Sequence, residues 1–279
     1  MLEKFSNSWK LFKASASVLA ADRELLIFPV ISAIGVLIIT ATFAIPMFLS
    51  SFFDSMFSQK MGIAGYVVAF LFYLVQYTMV FYANTALVGA AMIRLNGGDP
   101  TVKDGFRIAN SRLGAIIGYA LISATVGMII KALSQQKGMV RFISSIVGMA
   151  WNLATYLVVP VLAVEGIGPI EAIKQSVSLL KRTWGEQLIG NFGLGFIFGI
   201  ANALLILASI PLIILAINSQ SIALIAIVII LLFVALAILG LINSSLNGIY
   251  TAAVYQYAST GKSSSFFNDQ MVVNAFTKK

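Results

Sequence analysis

Six long stretches without a single Asp, Glu, Lys or Arg constrain this chain most: residues 25–49, 63–93, 113–130, 142–164, 188–217 and 222–258. Each is near or above the ~20 residues that a helix needs to cross a bilayer. A charged side chain at the centre of an inserting helix costs about 2.5–3.5 kcal/mol, which explains why the charges fall between the blocks. Of the 279 residues, 59% are hydrophobic and 10% charged, whereas soluble domains carry roughly a quarter charged residues. The expected fold is therefore all-α, an integral membrane bundle of about six transmembrane helices. The first block follows a segment holding Lys4, Lys10, Lys13, Asp22, Arg23 and Glu24. It lacks the short core and small-residue cleavage site of a signal peptide, so it reads as a retained span.

Cytoplasmic loops retain Lys and Arg, so the loops can be assigned to sides. With six spans and the N-terminus inside, one side holds Lys4, Lys10, Lys13 and Arg23, then Arg94, Lys103, Arg107 and Arg112, then Lys174, Lys181 and Arg182, and finally Lys262, Lys278 and Lys279. Only Lys60, Lys131, Lys137 and Arg141 fall on the other. Both termini are expected in the cytoplasm, with loop 50–61 and residues 218–221 outside. The net charge of +8 then points to anionic lipid at the cytoplasmic surface rather than to nucleic acid.

Three basic segments precede the odd-numbered spans, each with apolar residues at steps of 4, 3 and 4. They carry Phe5, Trp9, Phe12 and Ala16; Val102, Phe106, Ala109 and Leu113; and Ile173, Val177, Leu180 and Trp184. This spacing gives a helix one apolar face, and the adjoining Lys4, Lys10, Lys13, Lys103, Arg107, Arg112, Lys174, Lys181 and Arg182 suit a helix lying among lipid headgroups. Asp99-Pro100 offers an N-cap followed by proline, and Gly168-Pro169 the same proline placement. After the even-numbered spans, Thr85-Ala86-Leu87-Val88 leads to Gly97-Gly98, Thr155 to Gly166, and Thr251-Ala252-Ala253-Val254 to Gly261. These correspondences divide one membrane domain into three units, residues 1–98, 99–167 and 168–261, each an interfacial helix plus a hairpin, with a cytoplasmic tail over 262–279.

The opening Ser8-Trp9-Lys10-Leu11-Phe12-Lys13, followed by Leu19, Asp22, Glu24-Leu25-Leu26 and Phe28-Pro29, resembles the start of an uncharacterised family of bacterial inner-membrane proteins. The turn after each hairpin is similar to the membrane domain attached to some bacterial glycerophosphodiester phosphodiesterases. The resemblance implies a multi-pass protein of the bacterial inner membrane. The catalytic barrel of those enzymes, with its histidines and acidic metal ligands, has no counterpart here.

The chain contains neither Cys nor His, which removes thiolate and imidazole metal sites, thiol catalysis and the usual base of a serine hydrolase. No phosphate-binding G-x-x-x-x-G-K-[ST] loop occurs, and no carboxylate lies in mid-span to relay protons. The expectation is a non-enzymatic protein without cofactors or metals.

Uncharged polar residues are the remaining intramembrane feature: Tyr73, Gln76, Tyr77 and Asn84 in the second block, Asn152, Asn191 and Asn202 in the fourth and fifth, and Asn243, Asn247 and Tyr250 in the last. They serve either as interhelical hydrogen bonds or as the lining of a polar cavity. Gly114-x-x-x-Gly118 and Gly195-x-x-x-Gly199 suit close helix packing. Blocks of 31 and 37 residues (63–93 and 222–258) would run about 46 and 55 Å against a ~30 Å hydrocarbon core, so they must tilt, kink or project, with residues 240–248 the expected bend. Two functions fit: a lipid-contacting protein forming an oligomer or membrane complex, or a channel with an uncharged polar pore.

Overall fold

The computed structural model describes residues 2–49, 62–184, 194–269 and 272, with backbone alone for 2–8, 47–49, 184, 194 and 196. The side chains of Lys4, Phe5 and Trp184, and Asn191 and loop 50–61 entirely, therefore lie outside the description. Every regular element among the described residues is helical. In chain order they are α1 (Leu2–Ala21), a single 3-10 turn (Arg23–Leu26), α2 (Ile27–Leu49), α3 (Ile63–Leu95), α4 (Val102–Ser111), α5 (Leu113–Ser134), α6 (Met139–Ala154), α7 (Val158–Glu165), α8 (Pro169–Trp184), α9 (Leu194–Asn218) and α10 (Ile222–Thr260). Six stretches are long and apolar enough to cross a membrane: Arg23–Pro46, Ile63–Leu95, Leu113–Ser134, Met139–Glu165, Ile197–Asn218 and Ile222–Thr260. They coincide with the six charge-free blocks.

Helix α4 begins two residues later than Asp99-Pro100 implies. Its N-cap is Thr101, whose hydroxyl accepts the Asp104 N–H at 3.2 Å while the Thr101 N–H donates to the Asp104 carboxylate at 3.0 Å. This reciprocal box satisfies two donors that a helix start otherwise leaves open. The Thr101 hydroxyl, which donates to the Asp104 carboxylate at 2.6 Å, and the Thr101 N–H together hold the Asp104 carboxyl below its usual range. A lowered folded-state value means that the box contributes fully above the ordinary carboxylate range and is lost as pH falls through the lowered value. Thr101→Ala should cost about 1 kcal/mol, measurable as a lowered unfolding midpoint in detergent.

The fourth span is not one helix. Residues 155–157 interrupt it between α6 and α7, because Pro160 has no N–H to give the carbonyl four residues back and its ring crowds that carbonyl. The freed Leu157 N–H donates instead to Ser176 Oγ of α8 at 3.0 Å, both residues being fully buried. By contrast, residues 240–248 stay within unbroken α10, and Gly248 there packs on Leu87.

The core lies where the even-numbered spans end, at the basic end of the bundle. Residues 83–91 of α3, 157–163 across the start of α7, and 252–256 of α10 contribute buried residues to it. The three spans close on glycines in the left-handed region, Gly97 (φ 86°), Gly166 (φ 67°) and Gly261 (φ 74°), a conformation that costs a residue with a Cβ and not glycine. Polar ties fasten this end. Arg94 donates to the Ala21 carbonyl at 3.0 Å, Gln256 to Asn96 Oδ1 at 2.8 Å, and Tyr255 to the Glu165 carboxylate at 3.0 Å. After α10, Phe267 and Val272 are buried in the core too. Toward the opposite end α2, α9 and α10 expose Leu37, Ile38, Leu207, Leu215, Leu231 and Phe233 to more than half their surface, as suits contact with acyl chains.

The three basic helices are present, and the stripe residues Phe12, Ala16, Val102, Phe106, Ala109, Ile173 and Leu180 pack in or against the core, but the most buried residues of the first and third helices lie beside the 4-3-4 stripes. Helix α1 buries Leu11, Ala14, Ser15 and Val18, and α8 buries Ala172, Ser176, Leu179 and Leu180, while Trp9 and Val177 stay exposed. Helix α4 seats Gly105 and Ala109 in the core. Periodicity marks an apolar face without saying whether protein or lipid covers it.

Glycines also differ from expectation. Nothing lies within 4 Å of a Cβ built at Gly114, Gly195 or Gly199, whereas one at Gly118 would press on Pro169. The close approaches fall at Gly35 on Met79, Gly89 on Ile108 and Gly105 on Phe28 and the Ala86 carbonyl.

Candidate functional site

On α3, Tyr73, Tyr77 and Phe81 recur every fourth residue, which on a helix places their rings one above another. Tyr73 and Tyr77 centroids lie 6.3 Å apart, Tyr77 and Phe81 5.6 Å, and the ladder crosses to α5 through Phe81 and Tyr119 at 4.4 Å. Gly127 of α5, which faces Tyr77 without a side chain, leaves room beside the ladder.

The result is a cavity of about 380 Å³ between α3, α5 and α6, with Tyr77, Phe81, Tyr119, Trp151, Asn152 and Thr155 among its walls. A smaller cleft of about 150 Å³ shares Tyr77 and Gly127 with it and adds Tyr73 and Lys131. The larger space alone falls within the roughly 300–1,000 Å³ of ordinary ligand pockets. It is an open groove on the bundle's flank: Asn152 on its wall is exposed. Its lining belongs to stretches long and apolar enough to span a membrane.

Lys131 marks one end. Its ammonium donates to the Tyr73 hydroxyl at 3.1 Å and lies 5.6 Å from the centre of that ring. Among the described residues no carboxylate lies within ion-pair distance of it. Arg112 precedes the helix of the third span and Lys131 lies three residues before its end, a separation along it of about 28 Å, close to the ~30 Å hydrocarbon thickness. Lys131 is therefore at the end of α5 opposite the basic core.

Of the polar residues singled out from sequence, Tyr73, Tyr77 and Asn152 meet in this groove. The others do not join them. Gln76 turns to α2 and donates to Thr40 Oγ1 at 2.7 Å, and Asn247 donates to Asn243 Oδ1 at 2.6 Å along one helix. Tyr250 is buried against Tyr156, and Asn84 is half-buried outside the groove lining.

The basic residues divide similarly. Arg107 pairs with Asp104 at 2.7 Å, Arg182 donates to the Ala258 carbonyl at 2.9 Å, and Arg112 packs over Gly166. Lys10, Lys13, Lys103, Lys174 and Lys181 are exposed, with Lys13 5.6 Å from the Trp9 ring centre. No group of three or more potential acidic metal ligands occurs among the described residues.

A family model covers residues 63–266, from the second span through the start of the C-terminal segment, and so includes the whole groove. The chain belongs to DUF6159, a family of unknown function. No curated protein matches it, which leaves the expected similarity to the phosphodiesterase membrane domain without support. This DUF6159 member is a multi-pass protein by its six spanning helices. Sequence reasoning missed Lys131, Phe81, Tyr119 and Trp151 as groove residues. The continuation of the Tyr73–Tyr77 spacing to Phe81 was the signal available for one of them.

Proposed function

We propose that this DUF6159 protein is a non-enzymatic membrane protein that holds a membrane lipid on its flank. The observation that carries this is the groove of about 380 Å³, walled by aromatic rings and open within the span. An acyl chain gains from such a surface by dispersion contacts with the rings, while the Tyr77, Asn152 and Thr155 polar groups can orient an ester or hydroxyl. The missing Cys and His and charge-free span centres support a role without catalysis. The exposed lysines of α1, α4 and α8 suit anionic lipid at the cytoplasmic surface of a bacterial inner membrane, with both termini inside. Three units built on one plan, and assembly into an oligomer or membrane complex, complete this reading. The converging ends of the second, fourth and sixth spans support the three-unit plan.

Native mass measurement from lipid nanodiscs tests it. The parent should retain at least one lipid per subunit. Gly127→Leu, which places a side chain where the two parts of the groove join, should lower that retention while unfolding as the parent does. Equal retention by a folded Gly127→Leu protein would overturn the groove as the lipid site.

A further inference from the structure

We infer that the groove takes its lipid by an anionic headgroup at Lys131, with one acyl chain lying along the Tyr73–Tyr77–Phe81 ladder. This rests on the groove being a lipid site and adds which lipid it holds, and which way round.

Lys131 offers three N–H donors, of which the Tyr73 hydroxyl takes one. The remaining donors sit beside the cleft that opens into the larger cavity through Tyr77 and Gly127. No acidic side chain lines either part, so the amine of a zwitterionic headgroup finds no partner there, whereas a net negative headgroup meets an uncompensated cation. The edge of the hydrocarbon raises the value of that pairing over its value in water. Tyr73 adds a phenol at the depth where an amphipathic ring is satisfied at both ends.

The geometry also fits one chain. From Lys131 to Tyr119 along α5 is about 18 Å, against the ~15 Å of hydrocarbon in one leaflet. A headgroup at Lys131 thus leaves its chain beside Tyr77, Phe81 and Trp151 and ends it near Thr155. The site faces the leaflet opposite the basic helices and is separate from any lipid those helices bind.

The test uses the full chain in nanodiscs holding equal amounts of phosphatidylglycerol and phosphatidylcholine with identical acyl chains. Lipid displaced by Gly127→Leu defines the groove population. In the parent that population should be enriched in the anionic lipid, and Lys131→Gln should reduce the enrichment about fivefold, the equivalent of ~1 kcal/mol for one lysine near an anionic surface. Lys131→Arg should restore it, and Lys262→Gln, at an exposed position after α10, should leave it unchanged. Undiminished enrichment in Lys131→Gln overturns the inference while the groove still holds lipid. Displacement of the bound lipid by inorganic phosphate also overturns it, because a free anion needs no acyl chain. No loss of lipid in Gly127→Leu overturns the underlying groove reading instead.

Discussion

Gly105→Leu should destabilise the protein by about 3 kcal/mol or more, while the same change at Gly114 should leave it nearly as stable as the parent. Gly105 is buried where α4 meets α2 and α3, and a Cβ there would meet the Phe28 ring and the Ala86 carbonyl. Phe28 is itself 1% exposed and packs edge-on to Phe106 at 5.3 Å. The buried Phe28 ring has no space to yield, and the carbonyl belongs to a helix backbone. Helix propensity works the other way, since any residue with a side chain gains up to about 1 kcal/mol over glycine inside a helix. The clash exceeds that gain at Gly105. At Gly114 nothing opposes it, because the added side chain points into open space. Unfolding midpoints of the two variants in the same mixed micelles check the contrast. Similar midpoints would show that the α2–α3–α4 corner is looser than its contacts imply.

These two glycines also show what the sequence makes legible. Spans are written in charge, because a buried ion is expensive wherever the helix sits, and the six charge-free blocks reappear as the six spanning stretches. Which face of a span meets protein is not written that way. Lipid and protein interior are both apolar, so Gly195-x-x-x-Gly199 looks like a packing motif yet faces open space, while the isolated Gly35, Gly89 and Gly105 join Gly118 and Gly248 among the close contacts. The same ambiguity shows on α1, where Trp9 of the stripe is exposed, Phe12 packs at the edge of the core, and Leu11, Ala14 and Val18 are the buried residues. The groove was half legible. Tyr73 and Tyr77 stand one helical turn apart on a single element, but Tyr119, Trp151 and Lys131 come from helices that only the fold brings beside them.

Ser176→Ala should cost about 1–3 kcal/mol, far more than removal of one hydroxyl from an exposed face, because it strands the Leu157 N–H at the break in the fourth span. Leu157 and Ser176 are each fully buried and lie 3.0 Å apart, N to Oγ. A span normally satisfies its own backbone, and the interruption before Pro160 removes that provision at a depth where water is scarce. The hydroxyl is thus part of the backbone's hydrogen bonding, supplied from another helix. Alanine's better helix propensity offsets only a few tenths of a kcal/mol. Ser178→Ala, at an exposed position on the same helix, serves as the control and should change little. Amide hydrogen exchange separates a local from a general effect: protection at Leu157 should fall more than protection in the middle of α5. The consequence should reach the groove, since Trp151, Asn152 and Thr155 stand within a turn or two of the break and form its wall. Ser176→Ala should therefore lower lipid retention as well as stability. Unchanged exchange at Leu157 would mean that the break is held by packing alone, and that the hydroxyl of α8 does not tie the groove wall to the core.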